Sequence, residues 1–345
     1  MKFDHKERDM QTVKTMIIAE AGVNHNGDLA RALELVDVAA DAGADWVKFQ
    51  TFKAEKIATQ NAPKAQYQKK TTDQNEDQLA MLRRLELSSS DHEALMERCQ
   101  QKGIGFMSTA FDDESLDLLI RLGQEIFKVP SGELTNLPYL RRIGTLNKQL
   151  IVSTGMANLE EIHDALNLLT TAGTPLEKIT VLHCTSQYPA PFPEVNLRVI
   201  PELSQQLGVK VGYSDHTLGI EVSIAAVALG ATVIEKHFTL DRGLEGPDHA
   251  ASLEPKELVS MVAAIRHIEQ AMGTSIKQPT PSELDTALVA RKSIVAAREI
   301  RCGEILSAEN LATKRPGTGI SPMQWDEWVG RVAQRNYETD ELIKP

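Results

Sequence analysis

Eight short apolar runs, each with charged or hydroxyl residues at or near its end, constrain this chain more than any other feature. They cover residues 16–21, 46–51, 104–109, 126–131, 150–154, 179–186, 209–215 and 232–238. A strand buried on both faces is apolar throughout, so polar residues gathered at one end have no core to fill. In a closed barrel of parallel strands these ends meet at one mouth, where catalytic groups lie. The repeat therefore predicts both a fold and the position of a site.

The segments between the runs have the 3.6-residue period of amphipathic helices. One covers residues 28–42 with Asp28 as its N-cap, and the last, 255–272, ends at Gly273. Alternating strands and helices imply parallel strands with right-handed crossovers, here a (β/α)8 TIM barrel. An open doubly wound sheet is the alternative, but the turn at 24–27 (Asn-His-Asn-Gly) lacks the glycine-rich phosphate fingerprint.

The chain is predicted to have four parts: an N-terminal extension (1–15), the barrel (16–273), a linker (274–286) and a small C-terminal domain (287–345). A domain of that size has a thin core by itself, so we expect it to dock on its own barrel or on a partner subunit. The polar insertion at 62–79 is either a loop that serves a substrate or a surface insertion.

Composition excludes several classes of protein. The net charge of -11 argues against a nucleic-acid surface, although it leaves room for a local basic pocket. No apolar run is long enough for a bilayer, and residues 1–15 lack the apolar core of a secretory signal. The three cysteines are odd in number and lack metal-like spacing, which favours a reduced, cytoplasmic protein.

His216 and His237 lie at the ends of the seventh and eighth predicted strands, and in a barrel such neighbours lie a few ångströms apart. Two neutral imidazoles facing one cavity suit a divalent metal such as Mn, Zn or Co. The alternative is a pair of structural histidines at the rim, and spacing alone does not choose between them. His92, on a predicted helix, is expected to be solvated.

Lysines and hydroxyls also gather at the strand ends: Lys48, Lys128 and Lys236, with Ser131, Ser186 and Ser214. They could form a phosphate or carboxylate site. Intramolecular salt bridges to Glu20, Glu133 and Glu235 are slightly favoured over it on the residues alone. A third possibility is a Schiff-base lysine, as in aldolases that share this fold.

Further polar residues have weaker signals. Glu20 could be a general base, and Gln50, Tyr188 and Asp248 have polar tips suited to a polyol, although each alone is better explained as structural. Cys184 is expected to pack in the barrel wall.

Taken together, nine ordered motifs resemble those of the bacterial sialic acid synthase (N-acetylneuraminate synthase) family. They are EAGVNHNG (20–27), VKFQT (47–51), PSGE (130–133), STGM (153–156), HCTSQYP (183–189), SDHT (214–217), EKHF (235–238), GPD (246–248) and KRPG (314–317). The likeness runs from about Met16 to the C-terminus, and the last domain resembles the antifreeze-like (SAF) domain of these synthases.

The resemblance implies a reaction between phosphoenolpyruvate and an open-chain N-acetylhexosamine aldehyde. It implies that His216 and His237 bind a divalent metal, with Mn²⁺ expected first and Mg²⁺ or Co²⁺ as alternatives. Glu20 would serve in proton transfer, and Arg315 would reach into a partner's barrel in a domain-swapped homodimer. The implied substrate contacts are Lys48, Gln50, Thr109, Lys128, Ser131, Glu133, Ser186, Tyr188, Ser214 and Asp248.

Two features bear on the substrate. Ser186 stands where many members of the family have Asn, which leaves the reaction intact but bears on the subfamily. The residues of the motifs in the C-terminal half favour an N-acetylneuraminate synthase acting on N-acetylmannosamine. The alternative is a legionaminic or pseudaminic acid synthase acting on a 2,4-diacetamido-trideoxyhexose. A non-catalytic sugar- or ice-binding protein is a third reading, which the polar ends of all eight strands disfavour.

Overall fold

The computed structural model describes residues 14–60, 62–73 and 76–344. Within them the chain forms two compact units, which divide between Gly273 and Thr274. Residues 1–13, most of the predicted N-terminal extension, lie outside the described residues. No helix among the described residues combines the length and the apolar character needed to cross a bilayer.

Eight parallel strands build the first unit. They are β1 (Met16–Gly22), β2 (Trp46–Thr51), β3 (Gly105–Ala110), β4 (Ile126–Val129), β5 (Gln149–Ser153), β6 (Ile179–Cys184), β7 (Lys210–Asp215) and β8 (Val233–His237). Hydrogen-bonded neighbours follow the order β3-β2-β1-β8-β7-β6-β5-β4. The first and last strands of this order, β3 and β4, are also in contact with each other. The sheet is thus a nearly closed barrel, and the predicted (β/α)8 fold is confirmed.

Helices connect these strands. In the described part of the first unit the α-helices are α1 (Leu29–Asp41), α2 (Ala54–Ile57), α3 (Gln66–Thr71), α4 (Gln78–Leu85), α5 (Ser89–Lys102), α6 (Asp113–Arg121), α7 (Leu137–Gly144), α8 (Leu159–Ala172), α9 (Val199–Leu207), α10 (Glu221–Ala228) and α11 (Pro255–Met272). Asp28 caps α1 as predicted, because its carboxylate accepts from the backbone N–H groups of Ala30 and Arg31. Gly273 follows the last residue of α11, also as predicted.

The two-residue period of the strands divides the barrel interior into layers. An apolar layer inside the barrel consists of Ile18, Met107, Ile151, Leu182 and Val233. The residues two positions further along the same strands are Glu20, Thr109, Ser153, Cys184 and Glu235. Because side chains two apart on a strand face the same side, these polar groups form the next layer, at the carboxyl ends of the strands.

The second unit contains α12 (Pro281–Ala290), β9 (Ser293–Ala296), β10 (Leu311–Lys314) and α13 (Trp325–Trp328). Strands β9 and β10 pair antiparallel, and the unit has its own buried apolar cluster, which includes Ile294, Leu311 and Tyr337. Thr280 and Glu283 form a capping box at the start of α12. A helix therefore begins inside the segment predicted to be a linker.

Candidate active site

Side chains at the carboxyl ends of the strands line one cavity of about 270 Å³. Its walls include these sequence-predicted residues: Glu20, Lys48, Gln50, Thr109, Lys128, Ser131, Ser186, Tyr188, Ser214, His216 and His237. Residues separated by more than two hundred positions meet here because all parallel strands end at the same rim.

A chain of buried ion pairs crosses the floor of the cavity. Lys48 Nζ lies 2.9 Å from Glu20 Oε2 and 3.5 Å from Glu235 Oε2, and Lys128 Nζ lies 3.4 Å from Glu235 Oε1. Lys48 also donates to Thr109 Oγ1 at 3.2 Å, and Ser214 Oγ donates to Glu235 Oε1 at 3.0 Å. The salt-bridge interpretation thus holds for these two lysines without a bound ligand, and a bound anion would compete for the same ammonium groups.

The pKa values of the two glutamates in this row of ion pairs, Glu20 and Glu235, shift in opposite directions. Burial raises the pKa of Glu20 to about 7 despite the opposing charge of Lys48. Burial also acts to raise the pKa of Glu235, but Lys128 and Lys48 together outweigh it and lower the pKa to about 2. Glu20 is therefore the carboxyl group that can take up or release a proton near neutral pH.

Serine hydroxyls cluster at the carboxyl ends of β4, β5 and β6. Ser131 Oγ accepts from the backbone N–H of Gly155 at 3.0 Å. A Cβ at Gly155 would lie 2.1 Å from Ser186 Oγ and 2.9 Å from Ser131 Oγ, so only glycine allows these hydroxyls to approach. Ser153 Oγ is buried in the cavity wall and has no hydrogen-bond partner among the described residues. Sequence reasoning missed Ser153 as a site residue, although it follows the apolar Ile151 by two positions.

Cys184 is buried on β6 of the barrel wall, in agreement with the prediction, and its side chain faces the cavity with its Sγ 3.3 Å from Ser131 Oγ. The prediction for His92 was wrong. His92 is buried rather than solvated. Its Nδ1–H donates to Ser88 O at 2.8 Å, and its Nε2 accepts from Thr51 Oγ1 at 2.7 Å.

His216 and His237 lie together at the rim, with ring centroids 5.6 Å apart. His216 Nδ1 donates to Thr185 O at 2.7 Å, which leaves the lone pair on Nε2. Burial lowers the pKa of His216 to about 4 and that of His237 well below its usual value, so both rings are neutral at pH 7. Tyr188 lies against them, with its ring centroid 4.1 Å from that of His216.

His237 Nδ1 is buried without a hydrogen-bond partner among the described residues. Asp248 Oδ2 lies 4.0 Å from it, and burial raises the pKa of this carboxyl to about 6. Two neutral imidazoles with available lone pairs fit a borderline divalent cation. Since the described residues contain no group of three His, Cys, Asp or Glu side chains arranged for a metal, water or substrate would have to complete the coordination.

Three predicted residues lie elsewhere. Lys236 faces the helices, not the mouth, because it alternates on β8 with Glu235 and His237, which face the barrel interior. Glu133 is outside the cavity lining and accepts from Asn136 Nδ2 at 2.5 Å. Arg315 belongs to the second unit, where its Nε donates to Ala290 O at 3.0 Å.

Such a barrel, with acidic, basic and imidazole groups at one mouth, is typical of an enzyme of the TIM-barrel class. The NeuB family model matches residues 35–277, and the SAF domain model matches residues 291–345. The chain belongs to the NeuB family and ends in a SAF domain, as the motifs predicted. A solved N-acetylneuraminic acid (sialic acid) synthetase from Leptospira borgpetersenii has 35% identity and a TM-score of 0.69, covering 80% of this chain and 90% of that one.

The relatives correct the predicted substrate. The N,N'-diacetyllegionaminic acid synthase of Campylobacter jejuni is 56% identical over 96% of this chain and 99% of its own length. That of Legionella pneumophila is 48% identical over 93% of this chain and 90% of its own length. The prediction of an N-acetylneuraminate synthase acting on N-acetylmannosamine was therefore wrong. The motifs behind that prediction lie mainly at the strand ends and do not record which sugar is used.

Proposed function

We propose that the protein condenses phosphoenolpyruvate with the open-chain aldehyde of a 2,4-diacetamido-trideoxyhexose to give N,N'-diacetyllegionaminic acid and phosphate. The single observation that carries the chemistry is the buried chain Glu20–Lys48–Glu235–Lys128, which ends beside two neutral imidazoles in one cavity. The choice of sugar is supported by the two relatives just described. The cytoplasmic location expected from the cysteines, all free thiols here, belongs to this proposal.

Phosphoenolpyruvate, the anionic substrate, fits the part of the cavity that Lys48 and Lys128 line. Lys48 and Lys128 would bind the carboxylate and phosphate, with hydroxyl donors from Thr109, Ser131, Ser186 and Ser214. Ser153 adds a buried donor for which the described residues offer no acceptor. The anionic oxygens of the substrate would compete with the oxygens of Glu20 and Glu235 for the two lysines.

The sugar aldehyde fits the part of the cavity that His216 and His237 line. His216 and His237 would hold the divalent cation, which supplies Lewis-acid polarisation of the aldehyde oxygen when it is bound. Gln50 and Tyr188 line the same cavity and present polar groups to a sugar. Gln50 Nε2 lies 3.5 Å from Glu20 Oε1, so a sugar hydroxyl here would also be within reach of the proposed proton-transfer group.

The reaction balances with water as the third reactant. C3 of phosphoenolpyruvate forms a bond to the aldehyde carbon, and water supplies the new oxygen on C2. The bond between C2 and the phosphate oxygen breaks, and phosphate leaves. The protons of water end on the former aldehyde oxygen and on phosphate, and Glu20, with its pKa near 7, is positioned to transfer one of them.

The test measures phosphate release from phosphoenolpyruvate with Mn²⁺ and the 2,4-diacetamido-trideoxyhexose, with N-acetylmannosamine in parallel. We expect release that EDTA abolishes, a product of the expected mass, and a preference for the diacetamido sugar. Trapping of substrate by borohydride together with indifference to EDTA would instead identify a Schiff-base aldolase. Binding of sugar without any turnover would favour the non-catalytic reading.

A further inference from the structure

A second buried ion pair lies behind the histidines, on the helix side of the barrel wall. Lys236 on β8 and Asp215 on β7 are directly opposite each other in the strand register. Lys236 Nζ lies 3.0 Å from Asp215 Oδ2, and both side chains are 0% exposed. This pair is outside the cavity and has no part in the proposed chemistry.

The pair holds the backbone on both sides of His216. Asp215 Oδ1 accepts from the backbone N–H of Thr217 at 2.9 Å and from Thr217 Oγ1 at 2.8 Å. Lys236 Nζ donates to Thr217 O at 2.6 Å. His216 therefore sits between a residue that forms the ion pair and a residue whose amide, carbonyl and hydroxyl are all bound by it.

The same pair is joined to the second histidine and to the helix layer. Lys236 immediately precedes His237 on β8, so its anchorage limits the rotation of the strand end that presents this ring. Ser223 Oγ, on α10, donates to Asp215 Oδ2 at 2.7 Å. The outer network thus ties both strand ends to one another and to a helix behind them.

Stability alone gives a weak reason for such a pair. Burying two charges costs several kcal/mol per ion, and replacing a buried pair by apolar residues of similar size is often neutral or stabilising. The directed hydrogen bonds to Thr217 do something that an apolar pair could not do. They fix the backbone angles on which the orientation of His216 depends.

We propose that Asp215 and Lys236 are positioning residues that hold His216 and His237 in the relative orientation needed to bind a divalent cation. The inference rests on the proposed metal site. It assigns the outward-facing residues of the SDH and EKH sequences a role through the backbone, distinct from that of the inward-facing residues which touch the cavity.

The test uses the full chain and Co²⁺ alone as the probe, since its visible absorption reports on ligand geometry. The variants are Asp215→Asn, Lys236→Met and the double variant Asp215→Leu/Lys236→Met, with Co²⁺ affinity and the free energy of unfolding measured on each. We expect Co²⁺ binding about 10- to 100-fold weaker in all three, the range found when support of metal ligands is lost. The double variant should recover stability but not affinity.

The matched control is Asp45→Asn. Asp45 forms an ion pair with Arg266 at 2.7 Å and accepts from the backbone N–H of Ile17, but it lies before β2, at the opposite end of the barrel. It should lose stability and keep wild-type Co²⁺ affinity. Should the charge variants fail to fold, Thr217→Val, which removes one hydroxyl donor, should still weaken binding in the same direction.

Two outcomes would overturn the inference, and they differ. Wild-type Co²⁺ affinity and absorption in the double variant, or in Thr217→Val if only that variant folds, would show that the pair serves stability alone, with the proposed function intact. Absence of Co²⁺ binding by the wild-type protein would remove the metal site from the proposed function and this inference with it.

Discussion

Ser153 carries a hydroxyl group that is buried in the cavity wall without a partner among the described residues. An unsatisfied buried hydroxyl costs about 1–3 kcal/mol, while a hydrogen bond to a charged group contributes about 1.5–3 kcal/mol. We therefore expect Ser153→Ala to raise the KM for phosphoenolpyruvate about tenfold or more, with an unchanged or higher free energy of unfolding. Steady-state kinetics and denaturant unfolding measure the two quantities.

Thr174→Val is the matched control for Ser153→Ala. Thr174 is also buried, but its Oγ1 donates to Gly144 O at 2.7 Å, in the loop that precedes β6. Its loss should lower the free energy of unfolding by about 1 kcal/mol and leave the KM unchanged. A destabilised Ser153→Ala variant with a normal KM would contradict the assignment of Ser153 to the anion site.

His25 makes the stability of the fold depend on pH. Burial lowers its pKa from 6.5 to about 4, and its Nδ1 accepts from the backbone N–H of Gly27 at 2.9 Å. Between these values the unfolded chain binds a proton that the folded protein does not, so stability falls as the pH drops from about 6.5 to 4. The contribution of this ring is about 3 kcal/mol and is fully present above pH 6.5.

The variant His25→Asn isolates this effect, because the amide oxygen can accept the Gly27 N–H in place of Nδ1. We expect the difference in unfolding free energy between pH 7 and pH 4.5 to shrink by about 2 kcal/mol relative to the wild type. An unchanged difference would mean that other groups cause the acid sensitivity.

At the scale of elements, the turn after β1 lies in close contact with helix α4, which follows the insertion. Gly27 has a φ of +76°, and a Cβ there would lie 2.2 Å from the backbone oxygen of Arg84. Gly103, with a φ of +70°, has nothing within 4 Å of the same point. Both need the left-handed conformation, but only one is also confined by a neighbour.

Alanine substitutions at Gly27 and Gly103 therefore form a matched test, in which Gly103 is the control. Gly103→Ala should cost about 1 kcal/mol from backbone strain alone. Gly27→Ala should cost that amount and about 1–3 kcal/mol more, because backbone atoms have to move. Denaturant unfolding of the two variants measures the difference, and equal losses would argue against a tight fit between the turn and α4.

At the scale of the whole molecule, the resemblance predicts a domain-swapped homodimer whose sites need Arg315 from the partner subunit. Arg315 is exposed and lies in a unit with its own apolar cluster. We expect Glu20→Gln to be inactive and Arg315→Ala to be strongly impaired. When the two are mixed and their subunits are exchanged, part of the lost activity should return, since one hybrid site then has both residues. A coupled phosphate assay after exchange is the measurement.

Arg315→Ala alone adds a second readout. It should raise the KM for the sugar more than that for phosphoenolpyruvate, because the resemblance places this residue at the N-acetyl end of the substrate. Equal effects on both substrates, or no recovery after verified subunit exchange, would contradict a site shared between subunits.

The sequence alone predicted the barrel and most of the residues at its mouth. Eight apolar runs that alternate with helical segments indicate a parallel sheet covered on both faces, and their number matches a (β/α)8 barrel. Polar residues at the ends of the runs predicted where the mouth of the barrel lies. Glu20, Lys48 and the two histidines were predicted as site residues for that reason. The sugar was misassigned because the substrates differ at one or two carbons, which such a pattern does not record.

Only the tertiary structure decided which polar residues face the cavity. Glu235 and Lys236 are adjacent, yet the first binds two lysines inside the barrel and the second pairs with Asp215 behind it. A strand that is apolar on both faces carries no mark of which face is the interior, so the phase of the two-residue period is set by packing. The cavity-facing position of Cys184 follows from that phase, and neither it nor the burial of His92 could be read from the chain alone.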